Sequence, residues 1–543
     1  MRSEGPPLRD ASEMIWVGDI PEHWARLRGA RDAIIVPEQR RNITYARLHD
    51  NTRRFVEVMR ARGVQPGDRI GYLGRNSDLY FAALFGAIAG GFVLLPLNWR
   101  YAAPELAFIL SDAGARIVVA DEEFMPVLEA ALGEDDASSI IMMPVEGAGS
   151  LREALETPPQ EKAGGASAVV HDPDQICLQI YTSGTTGKPK GVLITHGALT
   201  WARHAETSSE DWAHWNKDDV ILSPLPNFHS GGMSWMLIGL IRGLTCVLTA
   251  STSVPHLLDL IEAHGVTRTF IVPTVVRGIL DHLKETGRTA PSIRTVTYGA
   301  AVMSEALLKE AIAVLGCEFG QYFGMTEATG TVTFLPAKDH DLERPHLLQS
   351  VGRPQCGMAV EIRSADGGVL PAGEAGEIWV RSPTLMAGYW RLPGASAAAV
   401  VDGWYRTGDG GRLDEEGYLY ITDRIKDMII SGGENIYPAQ VEEVLRQHPA
   451  VLEAAVVGAP DERWGERVEA YVELRPGAEV EPEALVAFAQ DRLARYKCPR
   501  VVHLVAALPR TPMGKVQRVI VRDQAAGCAA QPVETSLEAR AHG

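Results

Sequence analysis

Between residues 176 and 194 the chain commits itself to one kind of turn. Ile176-Cys177-Leu178-Gln179-Ile180 reads as an apolar strand, and Val192-Leu193-Ile194 reads as another. Between them stands Tyr181-Thr182-Ser183-Gly184-Thr185-Thr186-Gly187-Lys188-Pro189-Lys190-Gly191, which after Tyr181 holds no large apolar side chain. Glycines let backbone N–H groups approach an anion closely, hydroxyls add donors and lysines add charge. This is the chemistry of a loop that grips phosphate. A Walker A loop needs Gly at 182 and Ser or Thr after the lysine. Thr182 and Pro189 stand there instead, so a P-loop kinase or GTPase is disfavoured. A flexible linker is the bland alternative, but linkers seldom carry Lys-Pro-Lys directly before an apolar strand.

Around this turn, short apolar strands alternate with helical stretches. Examples are Ile117-Val118-Val119-Ala120, Thr245-Cys246-Val247-Leu248, 269–272 and 295–298. The alternation predicts an α/β fold with layered, mostly parallel sheets. Residues 361–381 are more β-rich, with a turn at Asp366-Gly367-Gly368. A second turn at Asp414-Glu415-Glu416-Gly417 precedes Tyr418-Leu419-Tyr420-Ile421. From about 425 a smaller α/β unit follows, with helices over 439–447 and 482–492 and strands over 454–457 and 469–473. A chain of 543 residues is too long for one core, so two or more domains are expected.

Residues 80–97 are uncharged and long enough to suggest a membrane span. Gly90-Gly91 and Pro96 interrupt them, and the reading is a buried helix over 80–89 followed by a buried strand over 92–95, as doubly covered sheets produce. The N-terminus has no apolar signal core, the C-terminal Ala-His-Gly is no peroxisomal signal, and the last twenty or so residues are expected to fray. A net charge of −17 opposes non-specific binding to nucleic acid or anionic lipid, yet leaves room for a locally basic site. Cys177, Cys246, Cys317, Cys356, Cys498 and Cys528 form no CxxC pair, so reduced thiols in a cytoplasmic protein are the expectation.

The 181–191 run resembles the signature of the adenylate-forming superfamily, which includes acyl-CoA synthetases, adenylation domains of peptide synthetases and firefly-type luciferases. Further blocks follow in the order that family uses, and the resemblance covers about residues 20–525. It implies a large N-terminal domain with a β-rich subdomain (1–425), a hinge at Arg424-Ile425-Lys426, and a small mobile α+β domain (426–543). Such an enzyme joins a carboxylate to AMP, making a mixed anhydride with a good leaving group that a thiol then attacks. The resemblance implies roles for specific residues. Thr182, Ser183, Gly184, Thr185, Thr186, Gly187 and Lys188 would hold the β- and γ-phosphates of ATP. Gly324-Met325-Thr326-Glu327 resembles the family's Tyr-Gly-x-Thr-Glu, with Thr326 on the α-phosphate and Glu327 on Mg²⁺, a hard cation suited to carboxylate oxygen. Phe323 replaces the family's Tyr, with Tyr322 one earlier; stacking on adenine survives that change, a phenol hydrogen bond does not.

Tyr298-Gly299-Ala300-Ala301 would line the adenine and acid pockets. Trp404-Tyr405-Arg406-Thr407-Gly408-Asp409 would clamp the ribose through Asp409, supported by Arg424. Gly388-Tyr389-Trp390 belongs to a further block read as structural. Lys426 sits at the hinge. Ser431, Gly432 and Gly433 belong to a loop facing the pantetheine channel, and Trp464 and Tyr496 fall where related ligases flank the CoA nucleotide. Thr511-Pro512-Met513-Gly514-Lys515 resembles the catalytic-lysine loop, in which Lys515 would neutralise charge developing between carboxylate and α-phosphate.

Phe228 and His229 match the family's Phe-His block, His229 bordering the carboxylate; with Gly231, Gly232, Trp235, Tyr298 and Gly299 they form the expected acid pocket. Trp235 could equally be core. Peptide-synthetase domains place an Asp where His229 stands, so an amino-acid substrate is disfavoured, because its ammonium would lack a partner. The acid is then a fatty acid of short to long chain or an aryl acid. Free coenzyme A is the simplest acceptor. The alternatives are delivery to a carrier protein, or a non-catalytic nucleotide-binding homologue, against which the retained Thr326, Glu327, Asp409, Arg424 and Lys515 argue. The resemblance leaves room for a homodimer and implies neither nucleic acid nor stable membrane insertion.

Overall fold

Parallel strands dominate the larger part of the chain, as the alternation of short apolar runs predicts. A computed structural model describes residues 1–4, 14–136, 140–157, 172–182, 189–208, 215–288, 293–299, 303–424, 427, 429–431, 434–461, 464–493, 495–510 and 516–527. Two compact units divide the chain: Met1–Thr407 with Arg412–Tyr420, and Gly408–Gly411 with Ile421–Gly543.

The larger unit holds a nine-stranded and a seven-stranded sheet among the described residues. In the first, strands Thr245–Leu248, Val220–Ser223, Arg268–Ile271, Thr295–Gly299 and Glu318–Met325 lie side by side and parallel. Gly330–Leu335 turns back antiparallel on the last of them. In the second, Arg69–Leu73 is central, parallel to Val93–Leu97 on one side and Ala115–Ala120 on the other. The hairpin Ile176–Thr182 and Lys190–Thr195 extends that sheet beyond Val93–Leu97, and Gly388–Tyr389 forms its edge. The β-rich stretch forms an antiparallel sheet around Ala359–Arg363 and Gly376–Arg381, with the expected turn between them.

The uncharged segment is the helix Asp78–Gly90 followed by the strand Val93–Leu97, nearly all of it buried. The helix is apolar on every face because protein surrounds it. Ser77 caps its start, and Gly91, at φ +75°, ends it in the left-handed region. Asp78 at its first turn makes a buried two-pronged ion pair with Arg152, at 2.7 and 2.8 Å. No helix among the described residues is long and apolar enough to cross a membrane.

The smaller unit is a five-stranded sheet, including Val451–Asp461, Gly465–Leu474 and Val501–Val505, with helices Pro438–Arg446, Pro482–Gln490 and Arg518–Ala525. Its two long strands, eleven and ten residues, run well past the predicted 454–457 and 469–473, because their ends pair as a continuous antiparallel ribbon from Val451 to Asp461. Val441, Leu445, Val456, Ala470 and Leu485 fill its core. Cys177, Cys246, Cys356 and Cys498 are buried free thiols and Cys317 is half-buried. Burial pushes the Cys177 and Cys246 thiols well up, that of Cys317 to about 12, and raises that of Cys498.

Candidate active site

The hairpin registers Tyr181 with Gly191 and Thr182 with Lys190, so the chain enters and leaves the phosphate-type loop through adjacent residues. Residues 183–188, which carry Ser183, Gly184, Thr185, Thr186, Gly187 and Lys188, lie outside the described residues. A third strand buttresses the returning arm: Gly388–Tyr389 pairs antiparallel to it, and the Trp390 N–H donates to the Gly191 carbonyl at 2.7 Å. Trp390 is held in turn by Arg69, stacked 3.8 Å from its ring centroid, and by the Asp112 carbonyl, which accepts from its indole N–H at 2.8 Å. The Asp112 carboxylate also takes the Tyr181 hydroxyl.

Glu327 sits at the mouth of this hairpin. Its Oε1 accepts from the Thr182 hydroxyl at 3.4 Å and from the Tyr389 hydroxyl at 3.3 Å. Its carbonyl accepts from the Met386 N–H at 2.8 Å. Thr326 and Glu327 occupy a single 3₁₀ turn, Thr326–Ala328, that joins two antiparallel strands. The approach to the turn is tight: a Cβ on Gly324 would stand 2.0 Å from the Gly330 carbonyl oxygen, so glycine is required there. A carboxylate flanked by hydroxyls suits Mg²⁺, which takes one or two carboxylates and completes its shell with substrate phosphates. Among the described residues no group of three His, Cys, Asp or Glu could hold a metal by itself.

Ser230 brings a helix to the same place. Its Oγ lies 3.4 Å from Thr326 Oγ1, and it opens the helix Ser230–Ile241, whose N-terminal N–H groups carry partial positive charge. The loop before this helix is pinned from outside: Asn76 donates to the Leu225 and Thr249 carbonyls and accepts from the Asn227 N–H. His229 follows as the residue preceding the helix, its ring packed on Phe228 at a centroid distance of 4.5 Å. Its Nε2 is buried and meets no hydrogen-bond partner among the described residues. Burial, with Arg100 nearby as a lesser cause, brings its pKa down to about 4, so the imidazole is neutral at pH 7.

Behind this helix lies an aromatic wall. Phe270 stands between Gly231 and Gly299: a Cβ on either would touch its ring, at 3.5 and 3.4 Å. Gly299 is forced, since its Cβ would also come within 2.5 Å of the Tyr322 carbonyl oxygen. Trp235 is core: it is 1% exposed, donates its indole N–H to the Leu222 carbonyl at 3.0 Å, and meets Phe270 and Tyr322 at ring distances of 5.9 and 6.5 Å. Gly232 is buried in the same helix.

Two motif residues stand differently from expectation. Tyr298 turns away from Gly299 to the opposite face of the sheet, because strand neighbours alternate. There its hydroxyl meets Gln321 and His340, each at 3.1 Å, within a core of Leu257, Leu258 and Ile279. It does not line a pocket with Gly299 and Phe270. Tyr322 is likewise interior, against Phe270 and Phe334, and the half-exposed ring is that of Phe323. Ala300 and Ala301 lie outside the described residues. Sequence reasoning passed over Phe270, which reads as an ordinary residue of a buried strand, and read Tyr389 as structural only.

Asp409 stands half-buried on the strand Trp404–Leu413, in the part that clusters with the smaller unit. In that unit Ser431 registers with Gly465, which brings it next to Trp464; the Arg500 guanidinium lies 5.1 Å from the Trp464 ring centroid. Tyr496 falls in the 3₁₀ turn Arg495–Lys497. Arg510 and Val516 form an antiparallel bridge at the ends of the loop 511–515. Lys515 itself, Lys426, Gly432 and Gly433 lie outside the described residues, and of Arg424 only the backbone is described.

Known proteins match this chain over most of its length. The AMP-binding enzyme family matches residues 21–390, and the AMP-binding enzyme C-terminal domain matches 440–515. A fatty acid–[acyl-carrier-protein] ligase, ScoC, from Streptomyces coeruleorubidus is 40% identical over 91% of this chain and 93% of its own length. Feruloyl-CoA synthase from an Amycolatopsis species is 37% identical over 88% and 93%. The solved structure of a Mycobacterium tuberculosis fatty acyl CoA synthetase is 34% identical, covers 94% of this chain and 98% of its own, and superposes with a TM-score of 0.74. Two matched domains in the family's order, on a fold shared along nearly the whole length, make this chain a member of the AMP-binding enzyme family of adenylate-forming acid–thiol ligases.

Proposed function

We propose that the protein is a cytoplasmic AMP-forming acyl-CoA synthetase that activates a fatty or aryl acid with ATP and Mg²⁺ and passes the acyl group to coenzyme A. The observation that carries this reading is the convergence of Thr182, Ser230 and the turn holding Thr326 and Glu327, from three separate elements, at the mouth of one hairpin. The triphosphate binds across that mouth. The Thr326 and Ser230 hydroxyls and the helix N-terminus face the α-phosphate, where negative charge builds as the carboxylate attacks. Glu327 would hold Mg²⁺, which would supply positive charge for the phosphate oxygens. His229, neutral, borders the carboxylate without adding charge. The acid's tail runs along Gly231 and Phe270. Asp409 and Arg424 hold the ribose, and Phe323 covers adenine.

Lys515 serves the first half-reaction. A rotation of residues 426–543 about Arg424-Ile425-Lys426 then withdraws it and brings the 431–433 loop, Trp464 and Tyr496 to the thiol's path. The relatives support an acid–thiol ligase of this kind: one is a feruloyl-CoA synthase and another a long-chain-fatty-acid–CoA ligase from Mycobacterium tuberculosis. A second reading, delivery of the acyl group to a carrier protein, is favoured by the 40% identity to ScoC.

The test is release of pyrophosphate and AMP with ATP, Mg²⁺ and acids from propionate to palmitate, with benzoate and cinnamate types, each with and without CoA. CoA-dependent AMP formation is expected. Pyrophosphate release without CoA stimulation would transfer the acyl group to a carrier protein instead. Silence with every acid would defeat the ligase reading.

A further inference from the structure

Deeper in the larger unit lies a polar cluster that the reaction as described leaves unused. Arg203, on the helix His196–Ser208, has a side chain that is 0% exposed. Its Nη2 donates to Glu206 Oε1 at 2.9 Å and to the Thr329 carbonyl at 3.4 Å. Its Nε and Nη1 meet no hydrogen-bond partner among the described residues, and neither does the buried hydroxyl of Ser234. Buried donors left unpaired are costly, the more so when charged, so a fold seldom retains several together without a partner for them. Glu206 offsets the arginine only in part, because burial raises its pKa against the pull of Arg203.

Gly330 shows what these groups surround. Its φ is +126°, and a Cβ there would come 3.0 Å from Arg203 Nη2, 3.3 Å from Ser234 Oγ and 3.8 Å from Glu206 Oε1. Two short rails connect this point to the reacting centre. Along the helix, Ser234 stands one turn beyond Ser230, on the same face and about 6 Å further in. Along the chain, Gly330 stands four residues beyond Thr326, across the turn. Ser230 and Thr326 meet at the outer end, Ser234 and Gly330 at the inner end.

We propose that Arg203 and Ser234 form a subsite for an oxygen acceptor on the tail of the acid, about 6 Å beyond the reacting carboxyl group. The preferred substrate is then a fatty acid whose tail bears a ketone, ether or second carboxylate, over the plain alkyl chain of the same length. This rests on the adenylate-forming reading of Thr326 and Ser230. Arg203 supplies a charged donor that water-free surroundings strengthen, and the acceptor relieves the unpaired nitrogens.

The test uses two non-reacting acyl-adenylate mimics, sulfamoyl adenosines carrying a 5-oxohexanoyl or a hexanoyl tail, and reads the ratio of their affinities by calorimetry. Wild-type protein is expected to favour the ketone tail by about tenfold or more. Arg203→Met should bring the ratio to one or below, and so should Arg203→Met combined with Glu206→Met, a pair that leaves no uncompensated charge to unfold the protein. A ratio is unaffected by any fraction of inactive protein. Equal binding of the two tails by the wild type, or a preference that survives both variants, would overturn the subsite and mean that ordered water satisfies Arg203. Failure of both mimics to bind would remove the adenylate-forming reading, and the subsite with it.

Discussion

Glu327 illustrates how much of a site is decided by what holds one carboxylate. The Thr182 and Tyr389 hydroxyls hold its oxygen, and the Met386 N–H fixes the backbone carbonyl of the same residue. Glu327→Gln keeps that shape and removes the charge, so adenylate formation should fall by about 100-fold while ATP binding falls much less; pyrophosphate release measured across a Mg²⁺ titration checks this. His229 makes a different prediction. Its pKa lies below the ordinary histidine value, so it stays neutral as pH falls through about 6.5 and gains its proton only near pH 4. Between about pH 5.5 and 8 the rate profiles of wild type and His229→Gln should therefore share one shape and differ only in height. An inflection near 6.5 that the variant loses would show an imidazole that titrates normally.

At the scale of elements, the ion pair between Asp78 and Arg152 anchors the buried helix Asp78–Gly90 to the short helix Leu151–Glu156. Arg152→Ala strands a carboxylate that is 1% exposed, and should destabilise the protein by about 3–5 kcal/mol in chemical denaturation. Replacing both partners by apolar residues of similar size should recover much of that loss.

Elements are also where legibility in the sequence stops. The helix-then-strand reading of 80–97 agrees with the structure because Gly91 ends the helix; Pro96 sits inside the strand Val93–Leu97 and interrupts nothing. The 181–191 hairpin was equally plain, since two apolar runs bracket a polar one. Which of two neighbours in a motif faces a ligand was not. Tyr298 and Gly299 arrive together in one block, but a period of two sends them to opposite faces, and only pairing with Arg268–Ile271 and Glu318–Met325 decides which face is which. Tyr389 lies some 60 residues from Glu327, and its contact depends on the strand Gly388–Tyr389 docking on Lys190–Thr195. Arg203 gave no signal at all, because a charged residue on an amphipathic helix ordinarily faces water.

For the whole molecule, the proposed alternation separates the two half-reactions. Lys515→Ala should abolish adenylate formation yet still thioesterify acyl-adenylate supplied from outside. Lys426→Pro should do the reverse, since proline restricts the backbone about which residues 426–543 are proposed to turn. Single-turnover measurement of each half-reaction separates the outcomes, and equal loss of both steps in either variant would deny that lysine its assigned part.

The buried thiols make that motion accessible to direct observation. A thiol held far above its usual pKa presents almost no thiolate at neutral pH, and the thiolate is the form that alkylating dyes capture. Of the six cysteines, Cys177, Cys246, Cys356 and Cys498 are enclosed and Cys317 is nearly inert. With Cys528 changed to serine, two cysteines added on exposed positions, one in each unit, would take up fluorophores against a silent background. The protein is thereby suited to distance measurement by energy transfer, with its other five native thiols left in place.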